Sequence, residues 1–207
     1  MKRLYIVLTL CCLSFALASN AQSASARMVD SFNPSTVRNV YEIIKYVPIE
    51  EKKQIALARL IEEEDRFYTK CLKDDKVISN RNKNILLAMR KENLQKVLTD
   101  EELEQYYRGI SDIGAEEMAA DVREKTKIQL GTSYQEGKFI YASFYKIFLE
   151  SKVAGLKYAD KPKQLDSALK KIKEDELKVL LEKSGLSVDD NFVARRVWTF
   201  KPNTPLR

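Results

Sequence analysis

The sequence predicts an all-α protein made of antiparallel amphipathic helices, and three observations support this fold class. First, the 207 residues include only six Gly and five Pro, so few positions can break a long helix. Second, apolar residues recur at spacings of three and four along most of the chain, which is the period of an amphipathic helix. Third, capping and acidic residues stand together where these periodic segments begin, as they do at helix N-termini.

The N-terminus has the three parts of a secretory signal peptide, which we assign to residues 1–21. Lys2 and Arg3 give the positive start, residues 4–17 are mainly apolar, and Ala21 ends a short run suited to cleavage. Cys11 would suit a lipoprotein, but the residues before it lack the small side chains of such a site. We therefore expect a periplasmic or secreted protein that is cleaved after Ala21 and has no transmembrane segment.

The rest of the chain divides into four predicted segments. Residues 22–32 are rich in Ser and Ala and are predicted to be a mobile leader. Residues 33–110 and 111–191 are predicted to form a first and a second helical module, followed by an extended C-terminal tail at residues 192–207. Short similarities between residues 33–110 and 125–207 are compatible with a tandem duplication, and equally with two unrelated amphipathic segments, since any two helices rich in Lys and Glu share such a pattern.

In the first module, Asn33 and Pro48 are predicted to mark two helix starts. Asn caps helices well, and Pro is tolerated in their first turn. The second of these helices carries one apolar stripe, which only Glu64 interrupts: Leu57, Leu60, Ile61, Phe67, Tyr68, Cys71 and Leu72. Because Cys71 lies on this stripe, we expect a buried structural thiol and not a reactive one.

The clearest local signal is a helix joint at Leu98, Thr99 and Glu102. Leu98 ends the apolar face of one helix, and Thr99 followed by Glu102 three residues later has the pattern of a capping box. In such a box the Thr hydroxyl accepts a hydrogen bond from the Glu amide, and the Glu carboxylate accepts one from the Thr amide. Weaker versions of the joint are found at residues 47–51, 130–135 and 186–190.

The second module is predicted to centre on an aromatic helix at residues 139–156, whose apolar side chains cover most of its circumference. Gly109 and Gly114 are predicted to bracket a kink before this helix, and Pro162 marks a turn after it. The Phe and Tyr side chains of the aromatic helix suit a buried core. The alternative is that they line a ligand pocket.

Several kinds of active site are excluded because their residues are missing. The chain has no His, which excludes Ser-His-Asp and Cys-His nucleophilic sites as well as His-ligated zinc and haem. After cleavage Cys71 is the one remaining cysteine, so neither an internal disulfide nor a thiolate metal cluster is expected. Basic and acidic residues are interleaved, which disfavours a nucleic-acid partner. No catalytic, cofactor-binding or metal-binding residue is therefore assigned.

Paired carboxylates are the one catalytic arrangement that the composition allows, because two positioned acids suffice for glycoside hydrolysis. Residues 62–65 form the densest acidic cluster, but most of it falls on the polar face between Arg59 and Arg66. A solvated charged face is therefore the expectation. Glu64 falls on the apolar stripe instead, where it is either a functional group or an edge residue.

The joint at Leu98, Thr99 and Glu102 resembles the Leu-Thr-x-x-Gln motif of the periplasmic Spy/CpxP family. The similarity covers about residues 48–108, with a partial second copy at residues 47–51 that has neither the Thr nor the Gln. Glu102 also departs from the motif, because it stands at the Gln position. The resemblance implies an all-helical fold and a role in envelope stress as an ATP-independent chaperone or accessory sensor.

These features favour a non-enzymatic protein of the cell envelope that binds other proteins, as an ATP-independent chaperone or a stress accessory factor. The expected partner is a protein or an unfolded client, and no cofactor is expected. The alternative is a small-ligand carrier that uses the aromatic helix at residues 139–156. A hydrolase that uses carboxylates is a third hypothesis.

Overall fold

The computed structural model describes residues 23–184, which form helices and no strands. The all-α prediction is confirmed. The helices are α1 (Ala26–Ser31), α2 (Pro34–Ile44), α3 (Glu51–Asp75), α4 (Asn80–Val97), α5 (Asp100–Leu130), α6 (Tyr134–Lys157) and α7 (Pro162–Ser184). The predicted signal peptide at residues 1–21, the predicted helix start at 186–190 and the predicted tail at 192–207 lie outside the described residues.

The chain divides into two compact units, with the boundary between Tyr106 and Tyr107. Helix α5 therefore contributes its start to the first unit and the rest of its length to the second. The sequence placed the division four residues later, after residue 110. Whether the two modules arose by duplication stays a prediction.

The first unit is built from α1 to α4 and the start of α5. Helix α3 packs against both α2 and α4, and the short connection between α3 and α4 makes these two helices antiparallel neighbours. Its core consists of apolar residues that are almost fully buried: Met28, Val40, Ile43, Ile44, Val47, Ile49, Leu57, Ala58, Ile61, Leu94, Leu98 and Leu103.

Helix α1 replaces part of the mobile leader that the sequence predicted for residues 22–32. The Ser25 hydroxyl caps the helix by accepting from the Met28 amide, and the Met28 side chain is fully buried. Gln54 of α3, itself buried, accepts from the Ser25 amide at 2.9 Å and donates to the Ile49 carbonyl at 3.1 Å. The sequence pattern missed α1 because its anchor lies 29 residues away along the chain.

Two further local predictions are corrected. Pro48 does not open α3, which begins at Glu51, and the buried Ile49 lies between them. Gly109 and Gly114 do not interrupt the helix, because α5 runs through both glycines without a break. Gly114 instead leaves room for a neighbouring side chain, since a Cβ added there would lie 2.9 Å from the Lys152 Nζ.

The second unit consists of the rest of α5 with α6 and α7. Small residues on α5 pack against large ones on α6 in one core cluster: Ala115, Ala119, Val122, Ile140, Phe144, Ile147 and Phe148. Ile172 of α7 packs against the same cluster. Arg108 and Glu150 join α5 to α6 through a two-pronged ion pair with N···O distances of 2.8 and 3.1 Å. The aromatic helix is therefore central to its unit, as its apolar circumference indicated.

Candidate functional site

The predicted helix joint has the geometry of a capping box. Leu98 ends α4 in an extended conformation and is buried. The Glu102 amide donates to the Thr99 hydroxyl at 3.2 Å, and the Thr99 amide donates to the Glu102 carboxylate at 2.8 Å. Both orphan donors at the start of α5 are thus satisfied reciprocally, so this box sets where the helix begins.

Lys53 adds an interaction that the sequence pattern did not reveal. Its ammonium, carried on the first turn of α3, lies 2.7 and 2.6 Å from the two carboxylate oxygens of Glu102. Burial raises the pKa of Glu102, but the hydrogen bonds from Lys53 and the Thr99 amide outweigh it and leave the pKa below its ordinary value. Glu102 therefore caps α5 and forms an ion pair with α3, whereas a Gln at this position would keep the cap without the charge that pairs with Lys53.

The weaker versions of the joint differ from one another. At residues 47–51 the cap residue is Glu50, whose side chain makes no capping hydrogen bond. At residues 130–135 the structure has a second complete capping box, in which Ser133 caps α6 and Glu136 reaches back to the Ser133 amide at 2.7 Å. The last version, at residues 186–190, lies outside the described part of the chain.

Glu64 belongs to a buried polar network in the first unit. Its side chain is 4% exposed and accepts a hydrogen bond from Asn93 Nδ2 at 2.8 Å and an ion-paired one from Arg90 Nε. Tyr106 lies near this network, and burial raises its pKa despite the opposing effect of Arg90. Because a cation and an amide neutralise and bind the Glu64 carboxylate, its contacts are those of a structural group that joins α3 to α4.

The acidic side chains of Glu64 and Glu62 contact basic and amide groups. Within the acidic cluster at residues 62–65, Glu62 contacts Asn33 and Arg66. Among residues 23–184, no three acidic or Cys side chains come close enough to hold a metal ion. Cys71 is a buried free thiol, as predicted.

An apolar groove of 360 Å³ lies along α1 and α2. Seven residues line it, and six of them are apolar: Ala24, Val29, Phe32, Pro34, Val37, Arg38 and Tyr41. Val29 and Tyr41 keep 48% and 45% of their surface exposed, so two of its large apolar side chains face water. Sequence reasoning missed this groove because one wall is α1, which was expected to be a leader.

The walls of the groove are fixed by capping and by a buried bridge. Asn33 caps α2 by accepting from the Thr36 amide at 2.9 Å, and its amide group donates to Glu62 of α3 at 3.3 Å. The Gln54 bridge described above holds the start of α1 to α3. These contacts hold the walls of the groove in place, which would reduce the ordering cost of binding.

Two Phe side chains of the aromatic helix are packed in the core of the second unit. Phe144 and Phe148 are 4% and 2% exposed, with ring centroids 5.8 Å apart, and both belong to the core cluster of the second unit. Tyr145 donates to Asp112, which raises the Tyr145 pKa to about 12. These contacts fit a packed core better than the lining of a small-ligand site.

No protein-family model, curated protein or solved structure matches the chain. Within residues 23–184, none of the helices is both long enough and apolar enough to cross a bilayer. The groove and the helix joint are therefore interpreted from their own geometry.

Proposed function

We propose that this protein is a non-enzymatic protein of the cell envelope that binds exposed apolar segments of other proteins in the α1–α2 groove. In this role it would act as an ATP-independent chaperone or a stress accessory factor. The observation that carries the proposal is the groove itself, a preformed apolar channel with Val29 and Tyr41 open to water. An apolar surface that is exposed to solvent in this way is a feature of protein-binding sites.

The charge of one lining residue limits which kind of segment would bind in the groove. Among the described residues that line the groove, Arg38 alone is charged. A short apolar segment flanked by an acidic residue would fill the channel and pair with the guanidinium at its rim. Such segments become exposed when proteins unfold, which is why an unfolded client fits the site better than a folded partner with a flat surface.

Suppression of client aggregation tests the proposal. The protein is mixed at molar excess with a secreted protein that is aggregating after reduction of its disulfides, and light scattering is followed. We expect suppression by the unaltered chain and loss of most of it in the variant Val29→Ser/Tyr41→Ser.

The matched control is Val77→Ser/Leu87→Ser, which removes two side chains that are 68% and 54% exposed but lie outside the groove. This control should suppress aggregation like the unaltered chain, and circular dichroism should show equal helix content in both variants. Absence of suppression by the unaltered chain, or equal loss in both variants, would contradict the proposal.

A further inference from the structure

The turn between α5 and α6 carries three of the most exposed apolar side chains of the second unit. Ile128, Leu130 and Tyr134 are 80%, 60% and 73% exposed. They fall within seven consecutive residues that include the Gly131 turn, where φ is +64°. We define these three residues as the hairpin tip. They do not belong to the core cluster of the unit, whose residues lie earlier on α5 and later on α6.

Helix geometry limits what could cover the hairpin tip. Ile128 and Leu130 are two residues apart on α5, which separates their directions by roughly 200° around the helix axis. A flat protein surface would cover one of them and leave the other in water. A fluid medium that surrounds the end of the hairpin would cover both.

The area of the tip leads to the same conclusion. The exposed surface of its three side chains is on the order of 400 Å², about half of what one partner buries in a stable protein interface. A second copy docked through the tip alone would therefore bury too little surface. Shallow insertion into a lipid interface has no such minimum, and binding strength there increases with the apolar area inserted.

Charge around the tip favours an anionic lipid. Lys127 precedes Ile128, and the Lys138 ammonium lies 4.7 Å from the ring centroid of Tyr134. Both lysines are exposed, whereas the nearby carboxylate of Glu136 accepts from the Ser133 amide. The chain that remains after the predicted cleavage, which removes Lys2 and Arg3, has a formal net charge of +4. Lysines beside aliphatic residues and a tyrosine form a combination that suits the boundary between headgroups and acyl chains.

We propose that the hairpin tip of α5 and α6 inserts into the surface of an anionic bilayer, with Ile128, Leu130 and Tyr134 among the acyl chains and Lys127 and Lys138 at the headgroups. The inference is independent of the groove and concerns only the second unit. It would hold the protein at a membrane face without a spanning helix.

A reporter placed at the tip distinguishes this insertion from contacts made elsewhere in the chain. Trp198 is the one Trp, so Trp198→Phe removes the background, and Tyr134→Trp then reports on the tip. The vesicles contain phosphatidylglycerol and phosphatidylcholine with bromine on the acyl chains. We expect the emission to shift to shorter wavelength and to lose about half its intensity, because lipid insertion brings the indole beside the quencher. Val77→Trp in the same background, at a site 68% exposed in the first unit, should change little.

Two further comparisons complete the test. Lys127→Glu/Lys138→Glu in the reporter chain should weaken vesicle binding roughly tenfold or more, since each basic residue near an anionic surface contributes. With Trp198 retained, Ile128→Ser/Leu130→Ser should reduce cosedimentation with these vesicles relative to Val77→Ser. Unchanged emission at position 134, equal quenching at position 77, or equal binding to pure phosphatidylcholine would overturn the proposal.

Discussion

Glu102→Gln is the perturbation that best separates the two roles assigned to Glu102. The change turns Leu-Thr-x-x-Glu into Leu-Thr-x-x-Gln and keeps a side-chain oxygen that can accept from the Thr99 amide. It removes the charge that pairs with Lys53. If the joint were only a capping box, the substitution would be nearly neutral.

The expected magnitude follows from the contacts. The Lys53 and Glu102 side chains keep 25% and 21% of their surface exposed, so solvent screens their attraction less than at an open surface but more than in a core. We expect Glu102→Gln to lower the free energy of unfolding by about 1 kcal/mol, near the upper end for surface pairs. Glu102→Ala removes the cap as well and should cost about 2 kcal/mol in total.

The effect of pH has a definite sign. Folding lowers the pKa of Glu102 from its ordinary value of 4.5, so the folded state binds this proton more weakly than the unfolded chain does. The stabilisation is therefore complete above about pH 4.5 and is lost as pH falls through the lower pKa of the folded state. The difference between the unaltered chain and Glu102→Gln should shrink over that acidic range.

Urea unfolding followed by far-ultraviolet circular dichroism, at neutral and acidic pH, measures these differences. Glu136→Gln is the matched control, because Glu136 caps α6 in the same way but is exposed and makes no ion pair within the described part of the chain. It should cost less than Glu102→Gln. Lys53→Met should lower the free energy of unfolding about as much as Glu102→Gln does. The double variant should lower it only a little more than either single variant. Equal stability of Glu102→Gln and the unaltered chain at neutral pH would refute the role of Lys53.

Three further predictions concern other contacts of the fold. Arg90→Met should lower the free energy of unfolding by about 2 kcal/mol, because it leaves the buried Glu64 carboxylate without its cation. Adding Glu64→Gln should restore part of that loss in the same urea titration. A double variant that is no more stable than Arg90→Met would contradict the pairing. Gly137→Ala should stabilise the protein by about 0.5 to 1 kcal/mol, since the added Cβ would meet only ordinary contacts in α6. Gly131→Ala should destabilise it by about 1 kcal/mol, because Gly131 has a positive φ. Thermal melts that rank the two variants in the opposite order would refute this. Gln54→Ala should release α1, seen as faster amide hydrogen exchange in that helix, and unchanged exchange would contradict the anchor.

Local sequence signals predicted the features that depend on neighbours along the chain. The capping box at Thr99 needs only Glu102, three residues away, and the central aromatic helix needs only its own periodicity. Both are found in the structure. The buried thiol of Cys71 followed in the same way from its place on an apolar stripe.

Features that depend on distant residues were not predicted. The start of α1 is fixed by Gln54, and the interrupted stripe at Glu64 is explained by Arg90 and Asn93 on the next helix. A polar residue on an apolar stripe indicates a buried partner, but no periodicity names that partner. For the same reason the groove, which needs α1 in place, could not be derived from spacing.

Amino-acid composition led to two wrong predictions of local structure. Gly109 and Gly114 were expected to bracket a kink, yet α5 is one uninterrupted helix through both, and the absent side chain of Gly114 leaves room for Lys152. Similarly, the Ser- and Ala-rich start of the chain suggested a leader, although Ser25 is a helix cap and Met28 is fully buried. Composition gives a propensity, and tertiary contacts decided against it at both places.

Direct titration with a peptide tests the central claim that the α1–α2 groove binds apolar segments. A short apolar peptide ending in an acidic residue is added to protein with labelled valine methyl groups, and their nuclear magnetic resonance shifts are followed. The groove predicts saturable shifts at Val29 and Val37 and none at Val77, together with weaker binding in Arg38→Ala. Shifts at Val77 equal to those at Val29 and Val37, or no saturable shift at any of the three, would contradict the proposed binding site.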